Sequence, residues 1–511
     1  STIYRPTAAL PVSTAAPVGR RYYWRVRACN AAGCSAFTHV RYIDVGRHAD
    51  DFNGDGYADF VVGATAQDNP TSDEGMAYVY FGSATPSPMP LADVTLENPS
   101  KDSGGWFGNS VAGAGDINGD GFADLVIGAF RQGAGTAHVY FGSNTGPAAS
   151  PDISLDNPIQ AGVSFGSSVA GAGDVNGDGY ADLIVGAPQQ ANPESTEGTA
   201  YVYFGSATKL ASTPDVILDN PLDLAGGGFG GSVAGAGDIN GDGFADLIVG
   251  ASWQDNPGMN EGAAYVFLGS STGPAMVPHL SLDNPPIHDG DQFGHSVASA
   301  GDLNGDGFGD FVVSAPWEEK GGAAYVYFGS ETASTATPDI TLKTPVRQAG
   351  GMFGSSVASA GDVNGDGFAD LIVGAERQSN IEFGEGYAYV YLGSTKGPTR
   401  LDITIENPAH QAGGSFGNSV ANAGDVNGDG FADLIVGAYA QDNPKDGEGA
   451  AYLFFGSTIG SGTYPNIFLQ NPLHQESGLF GTSVASANDG AKPSTEARNA
   501  RRGWTLCTHQ G

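Results

Sequence analysis

The nine residues Asp116-Ile-Asn-Gly-Asp-Gly-Phe-Ala-Asp124 recur along this 511-residue chain and decide how it folds. Copies also begin at Asp51, Asp174, Asp238, Asp302, Asp362 and Asp425, which makes seven in all. Each copy has side-chain oxygens at positions 1, 3, 5 and 9 and glycine at positions 4 and 6. Ca²⁺ takes six to eight oxygen ligands in a flexible cage. The motif therefore predicts a loop that binds a hard cation.

The first half of the motif has the 1-3-5 spacing and the glycine at position 6 of an EF-hand loop. It lacks the acidic ligand that an EF-hand places at position 12, where this copy has Ile127 within an apolar run. We therefore expect Asp124, at position 9, to complete the ligand set. The apolar run that follows is predicted to be a strand covered on both faces.

Successive motifs start 65, 58, 64, 64, 60 and 63 residues apart, which is room for four short strands and their turns. In the third repeat we predict strands at 165–173, 183–187, 198–204 and 215–218, with the cation loop 174–182 after the first. Small residues fill the first strand, as suits strands that converge on an axis. We predict an all-β β-propeller of four-stranded blades. A parallel β-helix, whose coils are shorter, is the competing fold.

The repeat array begins and ends with an incomplete unit. Seven Phe-Gly pairs, each opening a small-residue strand, alternate with the seven loops. The first loop has no such strand before it, and the last strand, 480–487, has no loop after it. We expect 480–487 to complete the first blade and close the ring. Alternatively, 42–49 supplies that strand and Phe480 begins a truncated eighth repeat.

These residues resemble the FG-GAP repeats that form the propeller of integrin alpha subunits. The Phe-Gly landmark begins at Phe107, Phe165, Phe229, Phe293, Phe353, Phe416 and Phe480, and one repeat has the full Gly-Ala-Pro landmark at 186–188. The resemblance implies a seven-bladed β-propeller of four-stranded FG-GAP blades, which we place at residues 49–487.

In that family the loop between the first two strands of a blade binds Ca²⁺, which implies about seven structural ions here, one per blade. The implied ligands are the side chains at positions 1, 3, 5 and 9 and the backbone carbonyl at position 7. They are Asp51, Asn53, Asp55, Tyr57, Asp59; Asp116, Asn118, Asp120, Phe122, Asp124; Asp174, Asn176, Asp178, Tyr180, Asp182; Asp238, Asn240, Asp242, Phe244, Asp246; Asp302, Asn304, Asp306, Phe308, Asp310; Asp362, Asn364, Asp366, Phe368, Asp370; and Asp425, Asn427, Asp429, Phe431, Asp433. The alternative for any one loop is an Asx-turn without an ion.

Residues 1–48 differ from the repeats. Predicted strands at 21–26 and 35–45 flank a turn, and the segment resembles the last two strands of a fibronectin type III domain. Cys29 and Cys34 lie on either side of the turn, and we predict that they form a disulfide in an oxidising compartment. The segment reads as the end of a domain whose upstream strands are missing. Residues 488–511 are predicted to be a disordered basic tail.

The composition argues against several functions. A net charge of −35 disfavours a nucleic-acid partner, because phosphate binding needs lysine and arginine. The chain has no run of 18 apolar residues, so no membrane insertion is predicted. The serines that follow each Phe-Gly pair repeat seven times, which indicates a structural role rather than a nucleophile. We therefore predict a protein that is not an enzyme.

Recognition is expected on the face opposite the cation loops. The variable loops assigned to that face carry Trp106, Arg131, Trp253, Trp317 and Arg377, and Trp and Arg are frequent hot-spot residues. Alternatively, the tryptophans only cover packing between blades. We expect an extracellular or cell-surface adhesion module that binds a protein or glycan, as a monomeric propeller within a longer chain. Other hypotheses are an accessory module of a larger secreted enzyme and a structural spacer.

Overall fold

The computed structural model describes residues 50–486 apart from 70, 160–163, 192–193, 209, 256–257, 286–287, 320, 332–334, 346–347, 349 and 380, together with the backbone of six short strands outside that range. The described chain is all-β. It forms seven four-stranded antiparallel sheets, and these sheets are the blades of a β-propeller.

The strands of each blade are given from the axis outward. Blade 1 has Phe480–Ser486, Phe60–Ala64, Met76–Tyr80 and Val94–Glu97; blade 2 has Ser110–Gly115, Asp124–Ala129, Thr136–Tyr140 and Ile153–Asp156; blade 3 has Ser168–Gly173, Asp182–Ala187, Thr199–Tyr203 and Val216–Asp219; blade 4 has Ser232–Gly237, Asp246–Ala251, Ala263–Phe267 and Leu280–Asp283; blade 5 has Val297–Gly301, Asp310–Ala315, Ala323–Tyr327 and Ile340–Lys343; blade 6 has Phe353–Gly361, Asp370–Ala375, Tyr387–Tyr391 and Ile403–Glu406; and blade 7 has Phe416–Gly424, Asp433–Ala438, Ala450–Phe454 and Ile467–Gln470.

The C-terminal strand closes the ring. Phe480–Ser486 pairs antiparallel with Phe60–Ala64, so blade 1 is built from both ends of the repeat array. This confirms the expectation that the last Phe-Gly strand completes the first blade. The alternative is wrong, because Arg41–Val45 pairs instead with Arg20–Trp24.

Short strands also lie outside the ring. Cys29–Asn30 pairs with Gly33–Cys34, and Thr2–Tyr4 pairs with Leu506–Thr508. The register places Cys29 opposite Cys34 in the ladder. Their side chains lie outside the described residues, so the disulfide stays a prediction, as does the likeness to a fibronectin type III domain. Apart from Leu506–Thr508, the tail predicted at 488–511 also lies outside them.

The core lies between neighbouring blades. All residues of the second and third strands of the blades are buried, as the apolar runs predicted. The ring of each Phe-Gly phenylalanine packs against a third-strand aromatic residue; the centroids of Phe165 and Tyr201, for example, are 5.4 Å apart. Aromatic pairs in such tilted geometry bury large apolar areas. The hydrophobic clusters combine two neighbouring blades, and one of them joins Val126 and Val139 of blade 2 to Leu183 and Val185 of blade 3.

The two glycine landmarks of the repeat contact each other across blades. A Cβ on Gly128, in the Gly-Ala pair of blade 2, would lie 1.9 Å from the carbonyl oxygen of Gly166, in the Phe-Gly pair of blade 3. The amide of Gly166 donates to the carbonyl of Gly186 at 3.0 Å within its own blade. Glycine allows this close approach of two backbones, which explains why the Gly-Ala and Phe-Gly pairs recur; blade 5 has Ser314 in place of the first glycine.

A ring of hydrogen bonds links the seven innermost strands. The Oγ of the serine after each Phe-Gly pair accepts a bond of 3.1–3.2 Å from a valine N–H of the next blade. The pairs are Ser110 with Val169, Ser168 with Val233, Ser232 with Val297, Ser296 with Val357, Ser356 with Val420, Ser419 with Val484 and Ser483 with Val111. The structural role predicted for these serines is confirmed.

Candidate metal centres and the opposite face

The loop between the first and second strands folds around the aspartate at position 1. In the first loop, Oδ1 of Asp51 accepts the N–H groups of Gly54 and Asp55 at 2.5 and 3.1 Å, and Oδ2 accepts that of Gly56 at 2.7 Å. Gly54 and Gly56 have φ of 72° and 94°, which explains why glycine recurs at positions 4 and 6. The turn thus holds this carboxylate towards the inside of the loop.

The aspartate at position 9 joins each loop to the turn between the third and fourth strands. Oδ2 of Asp124 accepts the N–H of Ile117 at 2.9 Å, and Oδ1 accepts that of Gly142 at 2.9 Å. The same two bonds recur in all seven loops, and the position-9 aspartates are all fully buried. Position 9 therefore has a structural role besides the ligand role predicted for it.

The seven loops are also joined to one another. The N–H at position 8 of each loop donates to the position-1 carbonyl of the loop before it, and Ala58 to Asp425 at 3.2 Å closes the circle. In five of the loops the aromatic ring at position 7 lies over the position-4 glycine of the preceding loop: a Cβ on Gly119 would be 2.5 Å from Cε1 of Tyr180. We call the face that carries these loops the lower face.

The carboxylates of a loop repel one another. Burial, followed by the charges of other loop aspartates, raises the pKa of Asp182, Asp246, Asp310, Asp370 and Asp433 to about 8, while backbone N–H donors lower it in part. Burial likewise holds the pKa of Asp59 and Asp124 well above its usual range. The pKa of Asp51 and of Asp174 is raised to about 6, again mainly by burial.

This donor set fits a hard cation. The charges of Asp51 and Asp55 both raise the pKa of Asp59, so the three carboxylates of this loop interact electrostatically. A carboxylate oxygen that accepts one N–H still has capacity to accept more. A bound cation would supply positive charge to carboxylates that burial otherwise destabilises in their ionised form. The residues at positions 1, 3, 5 and 9 and the position-7 carbonyl are the groups that would hold it.

The opposite, upper face has a cavity of about 330 Å³ on the propeller axis. Residues that directly follow the Phe-Gly pairs of five different blades line it, which places it at the upper mouth of the central channel. The lining consists of Thr65, Trp106, Asn109, His295, Ser355, Glu376, Asn418, Tyr439, Leu479 and Thr482. Among them is His295, whose pKa is lowered by burial; the sequence offered no reason to select it.

Only one of the five aromatic and arginine residues predicted for recognition lines this cavity. Trp106 does so, and the guanidinium of Arg131 lies 3.8 Å from the centroid of its ring, a cation–π contact. Arg377 lies 5.6 Å from the ring of Trp317, which belongs to the neighbouring blade. Trp253 is 52% exposed and covers Gly228. The predicted set is therefore distributed over the upper face.

Comparison with known proteins agrees with this architecture. A profile of the FG-GAP repeat matches residues 48–80, 107–140, 165–203, 229–267, 293–327, 353–391 and 416–454, which together are just over half of the chain. The chain belongs to the FG-GAP repeat family. Each matched stretch after the first begins at a Phe-Gly pair and ends in the third strand of the same blade.

The similar curated proteins are integrin alpha subunits. Integrin alpha-4 of Xenopus laevis is 30% identical over 255 residues, which are 49% of this chain and 23% of that protein. Integrin alpha-PS5 of Drosophila melanogaster is 38% identical over 33% of this chain and 16% of its own, and human integrin alpha-7 is 35% identical over 36% and 15%. The FG-GAP chain thus spans less than a quarter of the length of these relatives. Within the residues that the structure describes, no helix is long and apolar enough to span a bilayer.

A second repeated polar set on the upper face was not predicted from the sequence. A buried glutamate followed by glycine directly precedes the third strand of five blades, at Glu74, Glu197, Glu261, Glu385 and Glu448. The Asn-Pro pair that ends the fourth strand lies beside it; the amide of Asn220, for example, donates to the Glu197 carbonyl and to the Gln254 side chain of the next blade. An alignment of the repeats by their Asn-Pro pairs could have revealed this set.

Proposed function

We propose that this FG-GAP propeller is a Ca²⁺-stabilised recognition module that binds a protein or glycan ligand through its upper face. Its similarity to integrin alpha subunits supports an adhesion or recognition role. The proposed setting is the cell surface or the extracellular space, and the proposed role is binding rather than catalysis.

The proposed role of Ca²⁺ is to stiffen the lower face. Each loop is hydrogen-bonded to the loop before it and to the turn between the third and fourth strands of its own blade. An ion in any loop would therefore stabilise both of these connections. We propose about seven ions, one per blade. Mg²⁺ suits the loops less well, because it needs a smaller octahedral shell with several waters.

The axial cavity is the observation that carries the recognition proposal. It combines the rings of Trp106 and Tyr439 with amide, hydroxyl, carboxyl and imidazole side chains, and together these residues come from five blades. Ligand sites commonly combine apolar lining with a few polar groups that fix orientation. Asn109 and Asn418 already donate to backbone carbonyls of adjacent blades, which fixes their orientation before a ligand arrives. Such a site suits a sugar ring or a short peptide segment.

A glycan array and a protein array, each probed with the chain in Ca²⁺ and again after chelation, test this function. We expect binding in Ca²⁺ that weakens after chelation. Trp106→Ala should abolish that binding, whereas Trp253→Ala, which removes an exposed tryptophan outside the cavity lining, should leave it intact. The absence of any ligand under both conditions would refute the recognition role. Equal loss of ligand binding in both variants would show that the site is not confined to the axial cavity.

A further inference from the structure

One trio of acidic side chains on the upper face converges more closely than any other among the described residues. Ligand oxygens of Glu197, Asp219 and Asp223 all lie within 4.8 Å of one another. Glu197 lies two residues before the third strand of blade 3, Asp219 ends the fourth, and Asp223 follows in the loop to blade 4. Two oxygens on opposite sides of one Ca²⁺ are about 5 Å apart, given Ca–O distances of 2.3–2.6 Å, so this spacing matches one shared ion.

The glutamate of this trio has one carboxylate oxygen that accepts no hydrogen bond from the described residues. Glu197 is fully buried, and its Oε2 accepts the N–H of Glu194 at 3.2 Å. Its Oε1 is buried as well and, within the described part of the chain, has no hydrogen-bond donor. A buried carboxylate oxygen without a partner is costly. Burial, with added repulsion from Asp219 and Asp223, raises the pKa of Glu197 to about 7.

Other blades place a basic side chain beside their own upper-face carboxylates. The position of Asp223 is held by Lys101 in blade 1, by His410 in blade 6 and by His474 in blade 7. Lys101 pairs with Glu97 at 3.4 Å, His410 with Glu385 at 3.5 Å, and His474 with Glu448 at 3.3 Å. In blade 5, Lys343 stands at the position of Asp219 and pairs with Glu318. Blade 3 has acids at both positions.

We propose that Glu197, Asp219 and Asp223 bind a divalent cation of the Ca²⁺ type, which does in blade 3 what a lysine or histidine does in blades 1, 5, 6 and 7. The site is distinct from the seven lower-face loops and lies on the recognition face. An all-carboxylate donor set favours Ca²⁺ over the softer transition metals. Thr199, whose hydroxyl is buried, lies directly opposite Asp219 in the ladder.

Anomalous diffraction from crystals of the full chain soaked in Tb³⁺, a Ca²⁺ substitute, tests the proposal directly. We expect one peak bounded by the three carboxylates, separate from any peaks at the lower-face loops. Asp223→Lys, which copies Lys101, should abolish that peak alone. As a matched control, Glu406→Gln changes the position equivalent to Asp219 in blade 6, where His410 is present, and should leave every peak in place.

Metal content after equilibrium dialysis in Ca²⁺ gives the same comparison in solution. Asp223→Lys should bind one ion fewer per chain than the parent, and Glu406→Gln should bind the same number. Loop peaks without a peak at Glu197 would overturn this site and leave the proposed function intact. A peak that persists in Asp223→Lys, or an unchanged ion count in that variant, would also overturn it.

Discussion

The backbone N–H of Val111 donates a hydrogen bond of 3.2 Å to Oγ of Ser483, although 372 positions separate the two residues. The other six bonds of the serine ring join residues that are 59 to 65 positions apart. The Val111–Ser483 bond is thus where the chain returns to its start. Because Ser483 lies on the strand that completes blade 1, the ring closes only when this last strand is in place.

Removal of the closing strand should open the ring. A chain that ends at residue 479 lacks Phe480–Ser486 and leaves Phe60–Ala64 as an unpaired sheet edge. Exposed edges of this kind promote association between chains. We expect oligomers or aggregates in size-exclusion chromatography and a lower melting temperature. A chain that ends at residue 487 is the control and should behave as the parent; a monomeric, stable 479-residue chain would contradict closure by this strand.

Substitution of the position-9 aspartate should mainly lower stability, whereas substitution of the position-5 aspartate should mainly weaken ion binding. In metal-free protein, Asp124→Ala leaves the buried N–H groups of Ile117 and Gly142 without acceptors, which should cost roughly 2–6 kcal/mol of unfolding free energy. Asp120→Ala, at an exposed position of the same loop, should cost less than about 1 kcal/mol. Denaturant titration after chelation measures both. Calorimetry should show that Asp120→Ala binds one Ca²⁺ more weakly; equal destabilisation by the two variants would contradict this division.

The metal-free protein should become less stable as pH rises. The pKa of Asp310 and of Asp370 is about 8 in the fold against an ordinary 3.8, so the folded chain holds protons that the unfolded chain has lost. Their contribution is complete below about pH 4 and is lost as pH rises towards 8. Ca²⁺ binds the ionised form, so the rise in melting temperature that it causes should be larger at pH 8 than at pH 6. Thermal melts of dialysed protein with and without Ca²⁺ would show no pH trend if these carboxylates were ionised throughout.

Two glycines of the seventh loop should tolerate alanine differently. Gly428 and Gly430 both have positive φ, of 73° and 91°, so alanine is strained at each by about 1–2 kcal/mol. A Cβ on Gly428 would also lie 2.6 Å from Cε1 of Tyr57, whereas nothing lies within 4 Å of one on Gly430. We expect Gly428→Ala to lower the unfolding free energy by roughly 1 kcal/mol more than Gly430→Ala does, because the ring of Tyr57 must move away from residue 428. Equal melting temperatures would show that this contact between loops contributes nothing.

Much of the fold followed from the repeat, because its period and its small, apolar and loop residues each match one strand or turn of a blade. The sequence does not decide how the ring closes, because 42–49 and 480–487 both have the composition of a strand and only pairing distinguishes them. The loops were found because their ligands are local in sequence. The contacts of His410 with Glu385 and of His474 with Glu448 were not found, since each joins two loops more than 20 residues apart that share no fixed spacing.

The register of the closing strand also sets how the ring responds to force. Ser486 lies opposite Phe60, and Phe480 lies opposite Ala64, so the chain enters and leaves blade 1 at the same end of this strand pair. Tension between residues 50 and 486 would reach the inter-strand hydrogen bonds one after another, beginning at Ser486, instead of loading them all in shear. Under tension the closing strand therefore separates pair by pair, and the serine bond to Val111 is reached after the pairs of Ser486, Ala485 and Val484.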